Sequence, residues 1–225
     1  MMSKSYFITG TDTGIGKTVI SIALLESIKH AGKLVCGMKP VASGCYDLAD
    51  EMVSEDALLI KKHASIDLPY NLVNPLPLKN PCAPNIAAEL ELQGLEIAPV
   101  LKAFNWVSGQ CEVLIIEGIG GWRCPVFSDL GMADMVKAMN IPVILVVGIK
   151  IGCLNHAVLS VESILRDNVT LAGWIANIVD PDFQYPQQTI NHLMDQIKAP
   201  HMGTVPYQDQ LDYQGLYQYI SLPGL

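Results

Sequence analysis

Basic side chains are scarce in this chain. Lysine and arginine number 14 against 22 aspartates and glutamates, a formal charge of -8 over 225 residues. That balance argues against a protein whose main work is gripping nucleic acid or an anionic membrane, and leaves room for a local basic pocket. The six cysteines (Cys36, Cys45, Cys82, Cys111, Cys124 and Cys153) form no CxxC pair and no short metal spacing. Several lie in or beside apolar runs, where a reduced, buried thiol is the ordinary state. Long apolar stretches are also missing: PVILVVGI (142–149) is far too short to span a bilayer as a helix. The opening MMSKSYFITG has no apolar leader core and runs straight into a strand pattern, so no secretory signal is expected and a cytoplasmic setting is.

What is present is the composition of a globular chain, half apolar and 16% charged. The length suits one α/β domain over residues 1–225. Strand-length apolar runs occur at 6–10, 34–40, 113–118, 143–149, 173–179 and 203–207. Helical patterns separate them: Lys17 to His30, Asp56 to Ala64, Met132 to Met139, Leu154 to Arg166 and Tyr185 to Ile197. Strands apolar on both sides and alternating with helices predict a three-layer α/β sandwich with a mostly parallel central sheet. Ligands then collect at the carboxyl ends of the strands. The proline-dense segment 69–84 reads as an extended surface excursion packed on the domain, not a linker between two domains. Trp106 and Trp174 read as packing residues, and the tail, with Tyr213, Tyr217 and Tyr219, as a short helix closing the sheet edge.

The first strand runs into Gly10-Thr-Asp-Thr-Gly-Ile-Gly16-Lys17-Thr18 and then a helix-forming run. That order is a P-loop: backbone N–H groups and the helix N-terminus cradle phosphate, Lys17 neutralises its charge, and Thr18 ligates Mg2+. Five residues separate Gly10 from Gly16 where the usual pattern has four, so Thr11 stands at the first-glycine position. The strand VLIIE ends on Glu117, followed by Gly118-Ile119-Gly120-Gly121, which matches a Walker B acid with Glu in place of Asp. Lys39 lies at the carboxyl end of the second strand in Lys39-Pro-Val-Ala-Ser43-Gly44, aimed at the same rim.

Over nearly its whole length the chain resembles the dethiobiotin synthase family, through GTDTGIGKT, KPVASG, Ser54-Glu55-Asp56-Ala57, EGIGGW and VILVVGIKIGCLNHA. The resemblance implies ATP-dependent ring closure of 7,8-diaminononanoate with CO2, through a carbamate and a carbamic-phosphoric anhydride. It implies that Lys39 stabilises the carbamate while Lys17 holds the phosphates. Thr13, Gly14, Ile15, Gly16 and Lys17 wrap ATP, and Gly118, Ile119 and Gly120 border it. Thr18, Asp56 and Glu117 correspond to the Mg2+ ligands, and Thr11 and Ser43 to substrate residues. By the same resemblance Gly152, Cys153, Leu154 and Asn155 receive the substrate carboxylate across a homodimer interface. Asn177, Pro206 and Tyr207 correspond to the adenine site.

Plainer readings stand beside several of these. Asp56, at a helix start, favours the helix dipole without any metal, and Glu55 is its rival. Asn155 can cap its helix, His156 reads as structural, and Arg123 as a solvated side chain. Asn177-Ile178-Val-Asp180 also has the Asn-x-x-Asp form with which GTPases read guanine, so base choice stays open. A partition-type ATPase of the same fold would be expected to add a basic patch or a membrane helix. A synthetase of the cobyrinate-amidation type needs a glutaminase domain for which this length has no room.

Overall fold

The computed structural model describes residues 3–127 and 130–222. The central strands are β1 (Lys4–Gly10), β2 (Val35–Met38), β7 (Val113–Glu117), β8 (Val143–Ile149), β9 (Leu171–Ile178) and β10 (His201–Val205). They form one sheet in the order β10-β9-β8-β1-β7-β2, and every neighbouring pair is parallel. β7 and β8 are buried at every residue, which is why they read as unbroken apolar runs instead of alternating ones.

Helix α1 (Lys17–His30) packs across β1, β7 and β2, beside α2 (Glu55–His63) and a 3-10 helix (Gly215–Tyr219). Farther along, α5 (Ala98–Val107) meets α6 (Met132–Met139), and α7 (Cys153–Arg166) meets α8 (Pro186–Gln196) and the β8–β9 half of the sheet. The chain reverses its direction across the sheet after β2, so crossovers of the usual right hand put α1 and the α5–α6 pair on opposite faces. The result is the three-layer, parallel-sheet architecture expected. β1 and β8 send their following helices in opposite directions, so the crevice between their carboxyl ends is the switch point where ligands bind in such sheets.

Three expectations need correction. The segment 69–84 is not a surface excursion: it forms α3 (Tyr70–Val73) and β6 (Leu76–Pro77), pairs with β3 (Val41–Ala42), and buries Tyr70, Val73, Asn74, Leu76 and Leu78. Its prolines masked inward-facing residues that follow no single period. Two helices went unread, α4 (Pro84–Leu90) and α5, although Val100, Ala103 and Val107 carry the helical spacing of a buried face. Trp106 lies off that face and is 47% exposed, whereas Trp174 is fully buried as expected. A small antiparallel hairpin, β4 (Tyr46–Leu48) with β5 (Glu51–Val53), completes the strands. The tail does close an edge, with Ile220 bridging Gly203 beside β10.

Candidate active site

The loop between β1 and α1 wraps the N-terminus of α1. Gly14 and Gly16 hold φ of 70° and 80°, the left-handed region open to glycine at little cost, while Thr11 does not enter it. A threonine at the first-glycine position is therefore no obstacle. A Cβ at Gly16 would lie 2.2 Å from the Asn177 Nδ2 atom, so any side chain there would push the Asn177 amide aside as well as strain the backbone. The Asn177 amide donates to the Ile15 carbonyl at 2.9 Å and ties the loop to the end of β9. No acid occupies the first turn of α1, which leaves its N–H groups and dipole free for an anion.

Lys17 is buried and donates to the Asp12 carbonyl at 2.9 Å. Burial first, and the Lys39 ammonium second, lower it to about 8 against the pull of Glu117 and Asp56. Lys39, 3% exposed, donates to Glu117 Oε1 at 2.5 Å and to the Gly118 carbonyl at 3.1 Å, and lies 3.1 Å from Asp56 Oδ2. Burial alone would lower its pKa, but the charges of Glu117 and then Asp56 outweigh that and hold it above the ordinary lysine value. Burial would raise Asp56, yet Lys39 leads the groups that keep it below the usual carboxylate range, with Thr18 and Lys17 following. Thr18 Oγ1 donates to Glu117 Oε1 at 3.0 Å. These side chains, with Thr13, Gly14, Gly16, Ala42, Ser43, Ser54, Ile119 and Gly120, line a cavity of about 410 Å³.

The donor set fits a hard divalent cation. Thr18, Asp56 and Glu117 bring only oxygen to one spot, too few to cage a metal alone, as suits an ion that keeps waters and phosphate oxygens as its other ligands. Glu117 Oε2, fully buried, has no hydrogen-bond partner, an acceptor that a cation would satisfy.

The elements that aim these groups include one that sequence reading missed. The Ser54 amide donates to the Tyr70 hydroxyl at 2.7 Å, that hydroxyl donates to Asn74 Oδ1 at 3.0 Å, and Asn74 Nδ2 donates to the Lys39 carbonyl at 2.6 Å. This buried chain couples the start of α2, where Asp56 sits, to the backbone of Lys39. Ser54 also caps α2, accepting from the Ala57 amide at 3.5 Å. The signal available in sequence was two polar residues, Tyr70 and Asn74, within a proline-flanked apolar stretch. On the other side, Trp122 Nε1 donates to Asp167 Oδ2 at 2.8 Å, and Arg123 donates to Asp167 Oδ1 at 3.0 Å and to Ser163 Oγ at 2.7 Å. Arg123 is exposed, as a solvated arginine would be, and its guanidinium is anchored to Asp167 and Ser163.

Other expected residues lie outside this cavity. Thr11 lines a neighbouring one of about 520 Å³ with Asp12, Trp122, Arg123 and the side of α7. Gly152 is the N-cap of α7 at φ 87°, so Asn155 lies inside the helix and does not cap it. Gly152, Leu154 and Asn155 are exposed, and Cys153 is buried. Asn177 stands behind the P-loop, and Pro206 and the half-exposed Tyr207 follow β10.

A family model described as an AAA domain matches residues 4–214. ATP-dependent dethiobiotin synthetase from Xanthomonas campestris pv. campestris is 39% identical over 99% of this chain and 100% of its own. The enzyme of that name from Aromatoleum aromaticum is 41% identical over 98% of each chain. In solved structures, the MinC:MinD cell division protein complex of Aquifex aeolicus gives a TM-score of 0.58 at 14% identity, covering 96% of this chain and 86% of that one. A ParA family ATPase from Chlorobium tepidum gives 0.55 at 13%, covering 98% and 91%. At such identities the structural likeness speaks for the fold alone. The full-length sequence likeness speaks for more, and this chain belongs to the family of ATP-dependent dethiobiotin synthetases.

Proposed function

We propose that this chain closes the cyclic urea of dethiobiotin from 7,8-diaminononanoate, CO2 and ATP, in biotin biosynthesis. The observation that carries the reading is the juxtaposition of Lys39 with the P-loop lysine and two carboxylates on one cavity. A carbamate anion must approach a triphosphate, and only clustered positive charge and oriented N–H groups make that encounter favourable.

One substrate amine captures CO2 as a carbamate. A carbamate oxygen then attacks the γ-phosphorus and ADP leaves. The second amine attacks the carbonyl carbon of the mixed anhydride, phosphate leaves, and the ring closes with loss of the amine protons. In this scheme the loop from Thr13 to Lys17 holds the phosphates and Lys17 neutralises their charge. Lys39 and Ser43 hold the carbamate, with Thr11 along the substrate, while Gly118, Ile119 and Gly120 shape the opposite wall. Thr18, Asp56 and Glu117 would hold Mg2+, which supplies charge neutralisation at the transferring phosphoryl group. Asn177, Pro206 and Tyr207 would flank the base.

The start of α7 would take the substrate carboxylate from a second copy of the chain, making the working unit a homodimer of single-domain protomers. In support, Ile151, Leu154, Leu159 and Leu165 on and beside α7 are exposed, with Ile151 at 86%. The direct test is mass spectrometry of the product from purified protein, 7,8-diaminononanoate, bicarbonate and Mg-ATP. Dethiobiotin is expected only with all components present; ATP binding without product would overturn the substrate assignment.

A further inference from the structure

The Lys39 ammonium is held among three oxygens of the protein. It donates to Glu117 Oε1 at 2.5 Å and to the Gly118 carbonyl at 3.1 Å, and forms an ion pair with Asp56 Oδ2 at 3.1 Å. Two of those partners are the carboxylates that would ligate the metal, and the third proposed ligand, Thr18, turns its own proton onto Glu117 Oε1. The metal site is therefore internally satisfied, except for Glu117 Oε2. A fully buried carboxylate left unpaired is costly, and here the Lys39 ammonium offsets the charge of Glu117.

We infer that Lys39 is the resident cation of the metal site in the nucleotide-free protein, and that the arriving metal displaces it from Glu117 and Asp56 and so frees it to face the carbamate. This rests on the reading of Thr18, Asp56 and Glu117 as metal ligands. Its consequence is order: metal and nucleotide enter together, because the metal alone competes poorly with a tethered ammonium, and Lys39 is released to the substrate only after ATP is seated.

The test is Mn2+ binding followed by electron paramagnetic resonance, in wild type, Lys39→Met and Lys39→Arg, with and without a non-hydrolysable ATP analogue. Without nucleotide, Lys39→Met is expected to bind Mn2+ about tenfold or more tightly than wild type, a difference of about 1.4 kcal/mol. Lys39→Arg, which keeps the charge, should bind as weakly as wild type. Equal nucleotide-free affinity in all three, with analogue-dependent binding intact, overturns the displacement and leaves the metal ligands standing. Absence of Mn2+ even with the analogue overturns both. Should Lys39→Met not fold, wild type labelled at lysine Nζ serves instead. The exchange-protected Lys39 ammonium signal of the free protein is expected to vanish on adding Mg2+ and the analogue, and its persistence overturns the displacement.

Discussion

Asn177 ties the P-loop to β9 and is proposed to flank the base as well. Its Nδ2 donates one proton to the Ile15 carbonyl, and in the proposed site Oδ1 would accept from the base. An acceptor there would suit the 6-amino group of adenine, which favours ATP over the guanine-reading form that residues 177–180 share with GTPases. We expect kcat/KM for ATP to exceed that for GTP by about tenfold or more, the size of one hydrogen bond gained against one acceptor left facing another. Asn177→Ala should erase most of that preference and also weaken ATP binding, because the P-loop loses its tie to β9. Steady-state kinetics with both nucleotides measures the ratio; equal use of ATP and GTP by wild type would refute the assignment.

At the level of elements, the short helix α3 and the strand after it matter more than their size suggests. They carry Tyr70 and Asn74, which join the entry of α2 to the backbone at Lys39 and thereby set the separation of Asp56 from Lys39. Burial pushes the Tyr70 phenol up to about 12, so its hydroxyl remains a donor to Asn74 throughout the working range. Tyr70→Phe removes the acceptor of the buried Ser54 amide and should cost about 1–3 kcal/mol of stability. Turnover should fall with it, while nucleotide binding, held by β1 and α1, changes little. Thermal melts and a comparison of kcat with ATP affinity test this; a loss of ATP affinity equal to the loss of kcat would contradict a positioning role. Very little of this network was legible in the sequence, because a proline-rich segment offers no period from which to infer what faces inward.

For the molecule as a whole, the proposed homodimer makes the working site depend on two chains. Thr11 lies on a second cavity beside α7, and the α7 N-terminus is exposed; in the proposed homodimer that N-terminus would serve the substrate of the other protomer. Sedimentation should then give about 49 kDa, twice the 24.5 kDa chain. Leu154→Glu, on the exposed part of α7, is expected to produce monomers and to raise the KM for 7,8-diaminononanoate by about tenfold, with ATP affinity preserved. A monomeric wild type with full activity would remove the shared site. Among the described residues no helix is long and apolar enough to cross a membrane.

The amino-acid order alone carried the parallel α/β class and the P-loop, because each follows from a local pattern such as an apolar run or a glycine turn; Lys17 and Glu117 were singled out in the same way, and Lys39 and Asp56 through the family resemblance. The helices α1 and α6 were legible to the residue for the same reason, since their periodicity lies within their own span. Folding alone settled which of these groups meet. Lys39 and Glu117 are 78 positions apart in the chain, yet β2 and β7 are hydrogen-bonded neighbours that end side by side. Asn177 reaches Ile15 across 162 positions by the same kind of closure. Strand order, and with it the pairing of a lysine with the carboxylates it must later leave, depends on long-range packing that no local window of sequence contains.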